Sequence, residues 1–561
     1  MPADATAPAG TPAPETPTAS EPAPDEAGAD AAAPVGRPLN GATAARRREP
    51  RGRVVLRRAG ATTSALVLLA AAAGIVVAGE YLPAADATDV AAPRVDVPAG
   101  TFTAVCAGPP SQVGDAGMSV DPELAGDVTS TTRTQLLTLP REDAAAAEGA
   151  YTLVGGGAPQ QLARTGEVRG AVVEPTGAGL LEAEPAGDLT ALAAGATVAR
   201  TDAGDLRGLT ATACEAPATT TWLVGGSTEV GDSAQLVLTN PGQTPATVDV
   251  AVWTSLGATV APLLSGVVVA PGEQTTVLLE AAVTADPQLA LRVDASGGEV
   301  TAVVRDHQLD GVVPAGIDNV TTARAPALTQ TIPGVVLAES DVEDSASSLV
   351  RLVNPGEEVA TAAVRLLGPD GEQSIPGAEA VELYPGAVVD ITLAGIAPGA
   401  YGVEITSDQP VTGAVQLART GRPGQLDPDV APVDRAWTPA AAPLNSGTLL
   451  VPGAGDVVGA ASVTLTNPGD AEVRAELVPV SAAGAVGEPV AVTVPARGTA
   501  ATATADLGDD VAAVHVRAEG AGVAAAVVLT APAADGELIS VLPAISDPHD
   551  DRSVRVEVLR R

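Results

Sequence analysis

The sequence predicts an all-β chain: tandem immunoglobulin-like or fibronectin-like β-sandwich modules after one N-terminal transmembrane helix. Three observations carry this. Asn-Pro-Gly returns at 240–242, 354–356 and 467–469. Around each copy, apolar and polar residues alternate with the period of two that marks a half-buried strand. A single run, residues 61–79, is predominantly apolar and carries no charge.

The membrane element comes first in the chain. Residues 1–36 are rich in Pro, Ala, Thr and Glu and cannot bury enough apolar surface to fold. Eight Arg follow: Arg37, Arg46, Arg47, Arg48, Arg51, Arg53, Arg57 and Arg58. At 1.5 Å per residue the run that follows, ATTSALVLLAAAAGIVVAG, is about 28 Å long, enough to cross the hydrocarbon core. Arg before it and Glu80, Asp86 and Asp89 after it set the N-terminus inside and the C-terminal mass outside. An uncleaved anchor is the favoured reading. A cleaved signal ending near Ala85-Asp86-Ala87 is the alternative, and both export the remainder.

The exported part is read from its repeats. Each Asn-Pro-Gly ends an alternating strand (AQLVLTNPG, SLVRLVNPG, SVTLTNPG), with spacings of 114 and 113. A second alternating strand follows, then a Pro–Gly turn at Pro271-Gly272, Pro385-Gly386 and Pro495 to Gly498. LALRVDAS, YGVEITSD and AVHVRAEG, then GEVTAVV, QPVTGAVQL and AGVAAAVVL, close the units. About seven short strands in about 110 residues is the pattern of such a sandwich. In each tripeptide, Asn240, Asn354 or Asn467 holds the turn, Pro241, Pro355 or Pro468 presets φ at the first corner, and Gly242, Gly356 or Gly469 supplies a positive φ at the second.

The expected organisation is a tail (1–58), a transmembrane helix (59–80), a linker (81–100), a β domain with a disulfide (101–221), three sandwiches (222–330, 331–446 and 447–545) and a tail (546–561). Residues 101–221 lack Asn-Pro-Gly and read as a degenerate or distinct β domain. Within them, 141–149 and 185–206 look like loops. The only cysteines, Cys106 and Cys214, pair most simply in a disulfide on the oxidising side; two reduced, buried thiols are the alternative. The bridge would close a loop worth roughly 4–5 kcal/mol on chain-entropy grounds.

Charge excludes some partners. After residue 58 the chain carries 22 Arg and 61 acids, a net of −39, which repels nucleic acid and anionic lipid. No P-loop, no nucleophile elbow and no Cys/His metal cluster is present. His307 lies in RDHQLDG, past a repeat's last strand, beside Asp306 and Asp310. His515 aligns with Arg292 and Glu404, which marks a solvent-facing position. His549 sits among Asp547, Asp550 and Asp551, where a solvated tail turn outweighs weak metal capture. Trp222, Trp253 and Trp437 read as core or inter-domain anchors, not as a sugar platform.

The order Cys214-Glu-Ala-Pro217, Trp222-Leu-Val-Gly-Gly226, LVLTNPG and VVVAPGEQTTV resembles an uncharacterised actinobacterial envelope family with a domain of unknown function. Its members look like single-pass or secreted proteins, often encoded beside a cell-envelope glycosyltransferase. The resemblance covers most of residues 100–545, implies an envelope setting and brings no catalytic residues. The expectation is a non-catalytic structural or interaction protein at the cell membrane. It would form a stalk of modules, need no cofactor and no metal, and bind an envelope protein. Binding wall polysaccharide is the alternative, and an enzyme with an unfamiliar site comes last.

Overall fold

The structure is a computed structural model that describes residues 94–96, 98–110, 130–141, 144–342, 346–424, 427–548 and 553–555. The expected transmembrane segment, the tail before it and His549 lie outside the described residues. Among the described residues no helix is long and apolar enough to cross a membrane. All of them fall within one compact unit, Ala92–Arg561.

The second module sets the pattern. One sheet runs in the order Gly257–Thr259, Ala246–Thr254, Ala290–Ser296, Thr220–Val224, Thr322–Ala323; the other runs Glu273–Leu278, Asp232–Asn240, Thr301–Asp310, Val313–Val320. All pairings are antiparallel. Leu223, Leu236, Leu238, Leu264, Leu291 and Val304 fill the space between the sheets. The third and fourth modules repeat this order. In the third, one long strand, Gly399–Thr420, serves both sheets: its first half pairs with Ala327–Leu337 and its second with Val433–Pro439.

The first module has the same order. Gln160–Gln161, Gly149–Leu153, Gly179–Ala183 and Phe102–Cys106 form one sheet; Val168–Val173, Ser130–Leu139, Leu192–Thr201 and Gly208–Ala213 form the other. Leu192–Thr201 overturns the expectation of a loop over 185–206. Its LAAGATVART sequence is poor in the bulky residues that announce a strand. It is central and nearly all buried, so small side chains are what fit. A Cβ at Gly195 would sit 2.5 Å from the Cys214 sulfur.

The modules do not run as a linear stalk. The strands Gly208–Ala213, Val313–Val320, Val433–Pro439 and Gly536–Pro543 each form the edge of a sheet, and they pack on one another in cyclic order. The turn before the strand that opens at residue 168, 273, 388 or 498 rests on a hairpin of another module. Gly155 N–H donates to Gly272 O at 2.9 Å, Gly386 lies against Ala258, Gly498 against Gly368, and Glu167 N–H donates to Gly484 O at 3.0 Å. The last contact joins the first module to the fourth, so the ring closes. Apolar clusters also cross the seams: Leu137 and Val198 share one with Leu449 and Leu529, and Ile332 shares one with Val541.

Candidate functional site at the joint of four modules

An edge strand carries unpaired N–H and C=O groups and invites pairing with other chains. Here four edges meet, and side chains of neighbouring modules cap them. Asp434 Oδ2, from the third module, accepts Leu209 N–H of the first at 3.3 Å and Ile539 N–H of the fourth at 2.7 Å. Asp318 Oδ2, from the second, accepts Trp437 N–H of the third at 2.6 Å. Ser540 Oγ accepts Ala211 N–H at 2.8 Å and donates to Asp318 Oδ1 at 3.4 Å. Two carboxyls and one hydroxyl thus tie all four modules across the ring as well as around it.

Arginines brace this joint. Arg351 forks onto Asp390, with both bonds 2.8 Å, and donates to Gly226 O and Pro287 O of the second module at 2.6 and 2.8 Å. Its guanidinium lies 5.1 Å from the centre of the Trp437 ring. Trp437 Nε1 donates to Asp306 at 2.9 Å. Arg207 forks onto Asp535 at 2.8 and 2.6 Å, and Arg435 donates to Ala315 O at 2.6 Å. Such charged bonds are strong where water is excluded, and losing one partner is costly.

Burial pushes the carboxyl pKa values up. Asp434 is raised to about 7 by burial, against the pull of the Ile539 N–H and the Arg207 charge. Asp318 is raised well above the ordinary range by burial, with the Asp434 and Asp306 charges adding to it. Asp306 is raised by burial and held back by its Trp437 and Gln308 bonds. Burial lowers Arg435. Asp434 Oδ1 and Arg207 Nη1 are buried and have no hydrogen-bond partner. The joint is sealed, with Asp434 fully buried and Asp318 3% exposed, so it offers no nucleophile to a substrate.

A second polar cluster lies between the fourth and first modules. Ser446 Oγ stands 3.5 Å from His515 Nε2 and 3.4 Å from Asp547 Oδ2; Thr448 Oγ1 stands 3.3 Å from His515 Nδ1. Arg141 clamps Asp547 at 2.6 and 2.5 Å. The residue types of a hydrolytic triad are present, but Asp547 is clamped by Arg141 and takes the Ser446 hydroxyl, so the serine faces the acid as well as the imidazole. Burial also lowers the His515 pKa to about 4, so the ring is neutral.

This corrects several expectations. His515 and Glu404 are buried, not solvent-facing, because the outer face of their sheet is covered where modules meet. Glu404 accepts two bonds from Arg497 of the fourth module. Arg292, at the same repeat position, is partly open and stacks on Trp222. Asp547 is buried against Arg141 and does not lie in a solvated turn. His307 lies within Thr301–Asp310, not past it, and its Nε2 contacts Asp205 O at 2.8 Å. Strand alternation turns Asp306 to the opposite face from His307, so the two do not work together.

Cys106 and Cys214 form a disulfide that ties the first strand of the first module to its end. Asn240, Asn354 and Asn467 are fully buried. Each Oδ1 accepts the N–H of its Gly, at 2.9, 3.0 and 2.9 Å. Each Nδ2 donates to a carbonyl four residues on and to another at the later turn, Val269 O, Leu383 O and Pro495 O, all at 3.0 Å. The tripeptide therefore joins two turns of its module, but Gly242, Gly356 and Gly469 do not take the positive φ expected of them; each instead turns its N–H to the asparagine Oδ1.

Sequence reasoning missed the axial acids and arginines. For some of them the signal is a charge inside an otherwise apolar strand, as Asp318 in GIDNV and Arg351 in SLVRLVN. The residues were visible, but not that their edges converge. Among the described residues no group of His, Cys, Asp or Glu is placed to hold a metal ion. No curated protein and no solved structure matches the chain. One family does, described as a family of unknown function, over residues 164–505, from inside the first module into the fourth. That match spans more than half of the sequence, and the chain belongs to this family, DUF5719.

Proposed function

We propose that this chain is a membrane-anchored, extracytoplasmic protein of the cell envelope that is structural and interacting, not catalytic. Its modules are immunoglobulin-like or fibronectin-like sandwiches joined into one rigid platform that presents loops to an envelope protein partner. The observation that carries this reading is where the reactive side chains are spent. Asp306, Asp318, Asp434, Arg207 and Arg351 are buried and tie modules together, and His515 is buried against Ser446 and Thr448 of its own module. Groups used in this way leave little for turnover.

The anchor is placed at 59–80 on its uncharged apolar run and its Arg-rich flank. The burial of Trp222, Trp253 and Trp437 weighs against wall-polysaccharide binding, since none offers an open face to a sugar. Cells carrying the chain with a C-terminal tag should lose the tag to external protease while it fractionates with membranes. Proximity labelling should recover the same envelope protein from wild type repeatedly. A protected tag in the soluble fraction sinks the topology. Recovery of no envelope protein sinks the interaction role.

A further inference from the structure

The second module leaves apolar side chains uncovered at one end. Val230 is 98% exposed and Leu256 88% exposed, and Val260, Leu263 and Val312 are open as well. Buried Asp286 draws two of the turns that carry them together. Its carbonyl accepts the Thr228 N–H at 2.9 Å and the Thr228 hydroxyl at 3.3 Å. Its carboxylate accepts the Ser255 N–H at 3.2 Å and the Ser255 hydroxyl at 2.6 Å. Leu309 N–H donates to Gly231 O at 3.1 Å, which brings the hairpin that carries Val312 to the same end.

The other repeats do without these side chains. Ser255-Leu256, Pro369-Asp370 and Ala482-Ala483 are the same two-residue turn, each followed by a glycine at positive φ, 111°, 103° and 75°. At the 114-residue spacing of the second and third modules, Leu256, Val260 and Leu263 correspond to Asp370, Ser374 and Gly377. The fold is thus built equally well with polar or small residues at these places. The ring does not use them either. Gly386 of the third module already rests on Ala258 of this hairpin, and Leu256 stays open beside it. An apolar patch that neither core nor seam requires marks a contact with another molecule.

The charge around the patch decides between partners. Residues 225–291 hold four of the five aliphatics and six acids, with no Arg, Lys or His. Glu229 is exposed beside Val230, and Asp310 is exposed near Val312. A second copy of the chain would set the same acids against each other around the same patch, which opposes pairing. A lipid surface is met by Trp or Phe with Lys or Arg around them. The one Trp in this stretch, Trp253, is buried.

We propose that this end of the second module is a docking surface for a protein whose contact face is apolar at its centre and basic at its rim. The proposal rests on the reading of the chain as an interaction protein, and it names the surface and the partner's chemistry. The aliphatic tips form the water-free centre of the contact, and Glu229 and Asp310 steer and orient Arg or Lys of the partner.

A photoreactive benzophenone amino acid at position 256 of the full chain, in the cells that make it, tests this, with position 370 as the control. Light should join position 256 to one other protein, through a peptide of net positive charge, and position 370 should give no such adduct. Proximity labelling of wild type should recover the same protein. Leu256→Asp with Val230→Asp should lower that recovery about tenfold or more. Glu229→Arg with Asp310→Arg should lower it too, whereas Val172→Asp, at an exposed valine of the first module, should not. All of these positions are exposed, so thermal midpoints should hold. An adduct of twice the chain's mass, an adduct with lipid, an acidic crosslinked peptide, or unchanged recovery in Leu256→Asp with Val230→Asp overturns the docking surface. If wild type recovers an envelope protein while position 256 forms no adduct, this surface alone fails. If wild type recovers none, the interaction role fails and takes this surface with it.

Discussion

In the second, third and fourth modules a buried asparagine ends one strand and pins a later turn. In the first module Leu139 ends the corresponding strand, and a disulfide closes the unit instead. The strand order is the same. The first module keeps part of the motif, because Leu137-Thr138-Leu139-Pro140 reads like Leu238-Thr239-Asn240-Pro241 and Leu465-Thr466-Asn467-Pro468 with the asparagine replaced. Leu139 is 5% exposed and belongs to the apolar cluster shared with the fourth module. An amide that joined two turns has become a hydrocarbon that joins two modules. Tyr151 packs beside the disulfide, so close to Gly179 that a Cβ there would lie 2.1 Å from its ring. The two solutions teach that this topology needs its ends fastened but not by one chemistry.

Removing the disulfide should have the largest effect. Cys106→Ser with Cys214→Ser frees a loop of 108 residues. The cost should be about 4 kcal/mol, read as a lower denaturant midpoint. Hydrogen exchange should rise first in residues 102–215. A loss spread evenly over all four modules would mean that the ring, not the module, is what the bridge holds.

Removing the asparagine comes next. Asn354→Ala removes the bonds to Gly356 N–H and to the carbonyls of Glu358 and Leu383, and the last of these is buried. The expected loss is about 3 kcal/mol in equilibrium unfolding. The reverse graft, Leu139→Asn, should destabilise the protein and not improve it, because the first module places apolar neighbours there. A stabilised Leu139→Asn would show that the first module is only a decayed copy.

How much of this was legible follows from the same residues. Asn-Pro-Gly is a local device, so its spacing gave the three later modules and their turns. The first module hid because its device is non-local: Cys106 and Cys214 say that a loop closes, not which strands it closes over. Leu192–Thr201 hid because small residues score as loop while fitting a strand pressed between neighbours. The axial joint hid for a third reason. Asp318 and Asp434 look like ordinary surface charges in an acidic chain, and only the convergence of four sheet edges makes them buried.

The repeat position shared by Arg292, Glu404 and His515 sharpens the comparison through pH. Burial holds His515 down to about 4, so the folded state refuses a proton that the unfolded chain takes near 6.5. Its contribution is complete above the unfolded value and lost as pH falls toward 4, on the order of 2–3 kcal/mol. His515→Gln should remove that acid-side loss from the thermal stability profile. The effect runs opposite to that of Asp434, which burial raises to about 7 and whose contribution is lost as pH rises, so His515→Gln and Asp434→Asn should tilt the profile in opposite directions. Variants that tilt it the same way would show that one of these groups titrates as it does in water.

The smallest effect separates the three Pro–Gly turns. Gly272 and Gly386 sit at φ 68° and 73°, where glycine is at home, but Arg497 holds φ 47° at the corresponding corner. A non-glycine residue there stores about 1 kcal/mol of strain. The return is reach: Arg497 Nε meets Glu372 at 2.5 Å, and the rest of the guanidinium forks onto the buried Glu404 of the third module. Arg497→Gly should therefore lose the tie but relieve the strain, while Arg497→Ala loses the tie and keeps the strain. The alanine variant should be less stable than the glycine one by about 1 kcal/mol. Equal stability would mean that the turn is relaxed and the arginine's pairing with Glu404 cost no backbone strain.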